Sequence, residues 1–153
     1  MYTKEEASQV RQQFWTAFGK YMAPISSAVG NKVNWSNYKT GIRHLYFRMD
    51  ADKRKASIAI EIMHKEPDYA QKIYDRFLLL KSFFPEGGTH QWEWEQHAQN
   101  EHGQELSRIF MVLQPVNIFK KEDWPAIISF FKAHILALDV FWAEHKMIFE
   151  TIE

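Results

Sequence analysis

The chain has 153 residues, no cysteine, and 19 basic against 19 acidic side chains, so its formal net charge is zero. This is the length of one ordinary domain, which buries about 70% of its unfolded surface and requires no disulfide or metal to fold. The missing cysteines exclude disulfide scaffolds, cysteine nucleophiles, iron–sulfur clusters and cysteine-ligated zinc, and the balanced charge argues against a dedicated nucleic-acid-binding protein. We therefore treat residues 1–153 as a single domain.

The first element is a helix, predicted for residues 3–22 from a capping-box sequence at its start and apolar residues at helical spacing. A long connection at 26–41 follows, rich in Ser, Gly and Asn. It contains Trp35 and Tyr38, and aromatic side chains in a loop usually attach that loop to the core. We expect both residues to serve packing rather than ligand contact.

Two hairpins and two further helices complete the predicted order. The strands are recognised by alternating apolar and polar side chains, and Pro67 and Pro125 suit the first turns of helices. The fourth strand is apolar on both faces, which suits a central position in the sheet. The predicted bounds are 44–50, 55–64, 90–96 and 105–113 for the strands, and 66–84 and 123–151 for the helices, with Asp123 capping the last.

This order, α-β-β-α-β-β-α, predicts an α+β fold. Its simplest assembly is a four-stranded antiparallel sheet made of two hairpins, with the three helices packed mainly on one face. The order of the strands in the sheet does not follow from the sequence.

The last helix is unusually long for a domain of this size. At 1.5 Å per residue it would extend roughly 43 Å, against a domain diameter of about 40 Å. It is also apolar on more than one face, so either the other helices of the chain or a second copy must cover it. We predict a homodimer with an interface that contains Phe130, Phe141, Trp142 and Phe149.

The alternation of the strands also predicts a polar face on the sheet, turned away from the core. It could be a solvated surface with weak ion pairs, a shallow pocket for a small polar ligand or a partner peptide, or a catalytic site. The candidate ligand-binding residues are Tyr46, Arg48, Glu61, Glu93 and Glu95, with Arg108 joining them if its side chain points to the same face.

Signatures of catalysis and of metal binding are weak. Asp50 or Asp52 followed by Glu61 loosely resembles the acidic layout of a metal-dependent nuclease, but Lys65 comes too late for the usual Glu-x-Lys spacing. His97 and His102 flank the second hairpin turn and match no zinc template. There is no phosphate-binding glycine loop and no nucleophile elbow. We predict no catalytic set, no cofactor and no metal site.

The chain carries no recognisable targeting segment. Its first residues are polar, unlike a signal peptide, and its most apolar stretch, 126–143, is interrupted by charged residues and is shorter than the ~20 apolar residues of a membrane span. We expect a cytoplasmic protein without a membrane segment.

Four segments resemble a prokaryotic family of domains of unknown function, numbered 4268. They are 34–42 (NWSNYKTGI), 58–62 (IAIEI), 92–95 (WEWE) and 108–109 (RI), and the similarity extends over about 7–142. The resemblance implies no established activity and therefore no site residues. Some members are the C-terminal part of longer proteins with nuclease-like regions, which implies a link to DNA processing or defence by context.

Two functions are therefore compared below. The first is a non-catalytic binding or interaction module that acts through the polar sheet face or the long helix. The alternative is a divergent metal-dependent nuclease or hydrolase that uses Asp50, Asp52 and Glu61. A nucleic-acid binder is disfavoured by the neutral charge.

Overall fold

A computed structural model describes residues 2–152 and confirms the predicted α+β order. Every strand pairing is antiparallel, and the strands lie in the order β1-β2-β4-β3. The fourth strand is central, as its two apolar faces predict. The elements are α1 (Lys4–Met22), β1 (Leu45–Ala51), β2 (Ala56–Ile62), α2 (Pro67–Leu79), β3 (Glu93–Gln99), β4 (Glu105–Leu113) and α3 (Trp124–Glu150).

The helix ends follow the sequence in part. The capping box of α1 is present, because the Thr3 hydroxyl accepts from the Glu6 amide and the Glu6 carboxylate accepts from the Thr3 amide, each at 3.1 Å. Asp123 occupies the N-cap position of α3 as predicted, but its side chain makes no capping hydrogen bond, since a 3₁₀ turn precedes the helix and gives Asp123 a helical backbone. Its carboxylate accepts instead from the Asn117 amide at 2.9 Å.

Three predicted boundaries are shifted by three or more residues, the end of α2 and both ends of β3, which spans Glu93–Gln99. Helix α2 ends at Leu79, and a separate 3₁₀ turn, Lys81–Phe83, replaces the last predicted turn. The third strand begins at Glu93 rather than at residue 90, because the segment before it folds back on itself. There the Trp92 indole N–H donates to the Pro85 carbonyl at 3.0 Å, which fixes the start of the strand.

The core lies on the side of the sheet covered by the helices. The isoleucines of β2 face it and are at most 1% exposed. Helix α3 runs through the middle of this layer, since Phe131 packs against Phe14 of α1 at 6.1 Å and Phe149 against Phe77 of α2 at 4.4 Å between ring centroids. The other elements of the same chain therefore cover the long helix.

The four aromatic residues assigned to a dimer interface belong to this core. Phe130, Phe141, Trp142 and Phe149 are all buried within the monomer, and the Trp142 indole donates to the Thr40 carbonyl at 2.8 Å. They offer no surface to a second copy, so that part of the dimer hypothesis is wrong. Homodimerisation through other residues stays a prediction.

The connection between α1 and β1 is attached to the core, as its aromatic residues predict. Trp35 is buried and donates to the Ile25 carbonyl at 2.9 Å. The ring of Tyr38 stacks on Phe47 of β1, and its hydroxyl donates to Asp139 of α3 at 2.6 Å. The sequence did not indicate this role of Asp139, which holds the connection against the last helix.

Within residues 2–152, one segment, Lys121–Glu150, is long and apolar enough to cross a membrane by length and composition alone. Half of its most apolar 18-residue window is buried inside the fold. The core helix of a globular domain has the same properties, so the segment is weak support for a membrane span.

Candidate ligand-binding cleft

The strand register brings the six predicted ligand-binding residues into two neighbouring rows on the polar face of the sheet. Arg108 lies opposite Glu61, which settles the direction of its side chain. The first row crosses all four strands as Tyr46, Glu61, Arg108 and Glu95, and the second as Arg48, Ala59, Phe110 and Glu93. Alternation along the strands therefore placed these residues on one face correctly, and their binding of a ligand stays a prediction.

Both guanidinium groups of the cluster are held in place by their neighbours. Arg48 Nε is 2.6 Å from a Glu61 carboxylate oxygen, and the guanidinium lies 4.3 Å from the ring centroid of Tyr46. Arg108 Nη2 is 3.2 Å from Glu95, and its guanidinium lies 4.5 Å from the ring of Phe110. A carboxylate and an aromatic ring thus orient each arginine before any ligand arrives.

A bulge in β3 gives this face a roof. Glu95 pairs with Arg108 and Ala98 with Leu106, so β3 carries one more residue than β4 between these pairs. The extra residue is accommodated where His97 takes a left-handed backbone with φ of 55°. Bulges bend a strand, and the tip of the second hairpin, residues 100–104, borders the same cavity as the first hairpin.

The result is a cleft of about 560 Å³ between the sheet and the hairpin tip. This volume lies within the range of about 300–1,000 Å³ that is typical of small-molecule sites. Its floor contains Ala59, Phe110 and Val112, and its charged side chains are Arg48, Asp50, Lys55, Glu61, Glu101 and Arg108. The sequence predicted a shallow face, whereas the bulge and the roof make it concave.

Three of the predicted residues support the cleft without lining it. Tyr46 lies beneath Arg48, and Glu95 holds Arg108. Glu93 lies opposite Phe110 near the exposed edge of the sheet. Asp50 and the hairpin-tip residues, which do line the cleft, were not among the predicted ligand contacts. The available sequence signal for Glu101 was the stretch 82–107, which contains five glutamates, Glu101 among them, and no lysine or arginine.

The cleft disfavours charge on two of its carboxyl groups. Burial raises the pKa of Glu61 above its ordinary value, and the nearby Asp50 adds to the rise, although Arg48 and Arg108 act in the opposite direction. The pKa of Asp50 is raised too, mainly because neighbouring protein displaces its hydration, with a smaller rise from Asp52 and Glu101, although a hydrogen bond from the Ala51 backbone and the charge of Arg11 act in the opposite direction. For both carboxylates, therefore, the nearby positive charges do not fully offset the hydration that is lost in the fold.

The acidic residues of the nuclease hypothesis do not converge. Asp50 pairs with Ser57, while Glu61 lies four residues further along β2, about 13 Å away in an extended strand. The Asp52 carboxylate is turned into its own hairpin, where it accepts from the amides of Arg54 and Lys55 at 2.7 and 2.9 Å. The geometry gives no shared metal position to these three groups.

The histidines do not supply an alternative metal centre. His97 pairs with Glu105 at 2.7 Å and His102 with Glu101 at 3.5 Å, each on an exposed part of the second hairpin. His134 is buried against His90, and its pKa is lowered by burial and by that second ring. In the part of the chain that the structure describes, no group of three or more His, Asp or Glu side chains is arranged to hold a metal ion.

Comparison with known proteins gives one match. The model of a family described as "Domain of unknown function (DUF4268)" matches residues 10–146, which is most of the chain. No curated protein and no solved structure gives a significant match.

Proposed function

The chain belongs to the DUF4268 family of domains of unknown function, so its role must be inferred from its own geometry, and we propose a non-catalytic binding module that holds a small polar ligand in the cleft. The roofed cavity between the polar rows of the sheet and the second hairpin tip carries this proposal. A sheet face that only meets solvent would require neither a concave shape nor the tip of the second hairpin beside it.

The polar groups of the cleft support this reading. Each arginine is oriented by a carboxylate and a ring, as recognition groups are when a site is built before its ligand binds. Arg108 also has a buried Nε that finds no acceptor among residues 2–152. This Nε is enclosed by protein atoms, so a ligand in the cleft would meet the terminal nitrogens of Arg108, whose side chain is 39% exposed.

Binding is favoured over metal-dependent hydrolysis for a geometric reason. The acids of the nuclease hypothesis are divided between the cleft and the first hairpin turn. Asp50 and Glu61 remain in the cleft, where Glu61 is paired with Arg48. This pair engages Glu61, and Asp52 is turned into the hairpin, so the three acids of the nuclease hypothesis do not form one open carboxylate set.

The proposal is tested by NMR screening of a library of water-soluble amines, carboxylates, phosphates and neutral fragments. Ala59 is on the floor of the cleft, so Ala59→Phe places a ring in the cavity. We expect hits to shift the amides of β1, β2 and residues 100–104, and Ala59→Phe to abolish those shifts. Ala126→Phe, at an exposed position of α3, is the matched control and should retain them. Hits that cluster elsewhere, or no hits at all, would contradict the proposal.

Glu61→Gln is expected to leave the free energy of unfolding near pH 7 unchanged or slightly raised, although it removes the ion pair with Arg48. The raised pKa of Glu61 means that its ionised form is less favourable in the folded state than in the unfolded chain. The folded protein therefore binds this proton more readily, and wild type gains stability relative to the variant as pH falls through the folded-state pKa.

Urea denaturation at about pH 7 and about pH 4 measures this difference. Glu93→Gln, on the same face and exposed, is the control. A stability loss above about 1 kcal/mol for Glu61→Gln at neutral pH would show that the ion pair outweighs the burial of the carboxylate.

A further inference from the structure

We infer that the ligand of the cleft is a small zwitterion, with an ammonium or guanidinium group at one end and a carboxylate at the other. This inference rests on the proposed binding function and specifies its ligand class. Three features of the cavity carry it: an acidic end, a basic end and an apolar floor between them.

Asp50 and Glu101 make the acidic end, where they outnumber Lys55. Asp50 belongs to the sheet and Glu101 to the hairpin tip; both residues line the cavity, and the Glu101 side chain is 87% exposed. Within residues 2–152, no lysine or arginine nitrogen lies within 4.0 Å of either carboxylate, and the ion-pair partner of Glu101 is the exposed His102. The mutual repulsion of Asp50 and Glu101 would be relieved by a cationic group placed between them.

Arg108 and Arg48 make the basic end, where they outnumber Glu61. One terminal nitrogen of Arg108 is paired with Glu95 and its Nε is enclosed by protein, so a ligand would meet the remaining terminal nitrogen of this side chain, which is 39% exposed. A guanidinium presents five N–H donors in a fixed planar arrangement that matches a carboxylate. Because Glu95 and the ring of Phe110 already orient this group, a ligand carboxylate would meet a fixed donor.

The two ends are separated by an apolar part of the floor. Asp50 and Arg108 are in rows of the sheet that are four strand positions apart, and they are also two strands apart, so their backbone positions are separated by about 16 Å. Ala59 and Phe110 lie between these rows. The side chains shorten the gap from both sides, so the charges of the ligand should be joined by a short apolar chain rather than carried on adjacent atoms.

The test uses 6-aminohexanoate as the probe, with hexylamine and hexanoate as analogues that each lack one charge. We expect NMR titration to give 6-aminohexanoate an affinity at least about tenfold higher than either analogue, since each lost ion pair is worth roughly one factor of ten. Asp50→Asn should weaken 6-aminohexanoate and hexylamine but not hexanoate. Arg108→Gln should weaken 6-aminohexanoate and hexanoate but not hexylamine. Glu86→Gln, outside the cleft, should change none of them.

Other outcomes separate this inference from the function on which it rests. Hexanoate or hexylamine binding as tightly as 6-aminohexanoate would overturn the zwitterion assignment while leaving the cleft a binding site. So would fragment hits in the cleft that are all phosphates or neutral compounds. A cleft that binds no fragment at all would overturn both proposals. An equal loss of affinity in Glu86→Gln and Asp50→Asn would also overturn the assignment.

Discussion

Replacing Phe149 by alanine should lower the free energy of unfolding by about 3–5 kcal/mol, the usual cost of removing a fully buried phenylalanine. Its ring is 1% exposed and packs against Phe77 and Trp142, at 4.4 and 5.0 Å between ring centroids. These contacts join the end of α3 to α2, so the cavity left by alanine would lie between two helices. Urea denaturation is the direct measurement.

Met147→Ala is the control, because Met147 is two residues away on the same helix and 76% exposed. Its effect should stay within about 0.5 kcal/mol. The loss in Phe149→Ala should also be independent of protein concentration, since the contacts lie within one chain. A loss that grows on dilution would indicate instead that Phe149 is buried by a second copy.

Most of the fold could be predicted from the sequence because the patterns that indicate helices and strands are local. Alternation along β1 and β2 assigned Arg48 and Glu61 to one face, and the register then made them an ion pair. The apolar faces of β4 identified it as central. These features depend on the period of a strand and on burial, both of which can be read from a short window of sequence.

The parts of the site that the sequence did not predict depend on long-range geometry. The roof follows from one extra residue near His97, and a bulge of this kind leaves no periodic signal in a strand of seven residues. Asp50 is the last residue of the first predicted strand and was considered only as an acid of the nuclease alternative, and only the bent hairpin brings Glu101 to the cavity that Asp50 lines. The covering of α3 could not be predicted either, because an apolar helix face has the same sequence whether its partner is the same chain or another copy.

Asp139→Ala is the second change with a large expected effect, a loss of about 3 kcal/mol in the free energy of unfolding. The buried Asp139 carboxylate accepts from the Tyr38 hydroxyl and from the Ala28 amide, each at 2.6 Å. Alanine would leave both donors without this acceptor, and an unsatisfied buried donor costs about 1–3 kcal/mol. The pKa of Tyr38 is raised by its burial and by the bond to Asp139, so the hydroxyl donates throughout the neutral range.

A double-mutant cycle with Tyr38→Phe identifies the bond itself. Tyr38→Phe should cost about 1.5–3 kcal/mol in wild type, as expected for a hydrogen bond to a charged group, and much less in the Asp139→Ala background. Additive losses would mean that the two side chains stabilise the fold separately. An alkaline absorbance titration gives a second readout, since Tyr38 should ionise at lower pH in folded Asp139→Ala than in folded wild type.

The same variant separates stability from binding. Tyr38 stacks on Phe47, whose side chain is on the core face of β1, whereas Asp50 of the same strand lines the cleft on the opposite face. Asp139→Ala should therefore lower stability while its folded form binds 6-aminohexanoate with wild-type affinity. Asp50→Asn should do the reverse, because its raised pKa indicates that the ionised group does not stabilise the fold. If Asp139→Ala reduced affinity as much as Asp50→Asn, the cleft would depend on the connection and could not be a site built by the sheet and its hairpin tip.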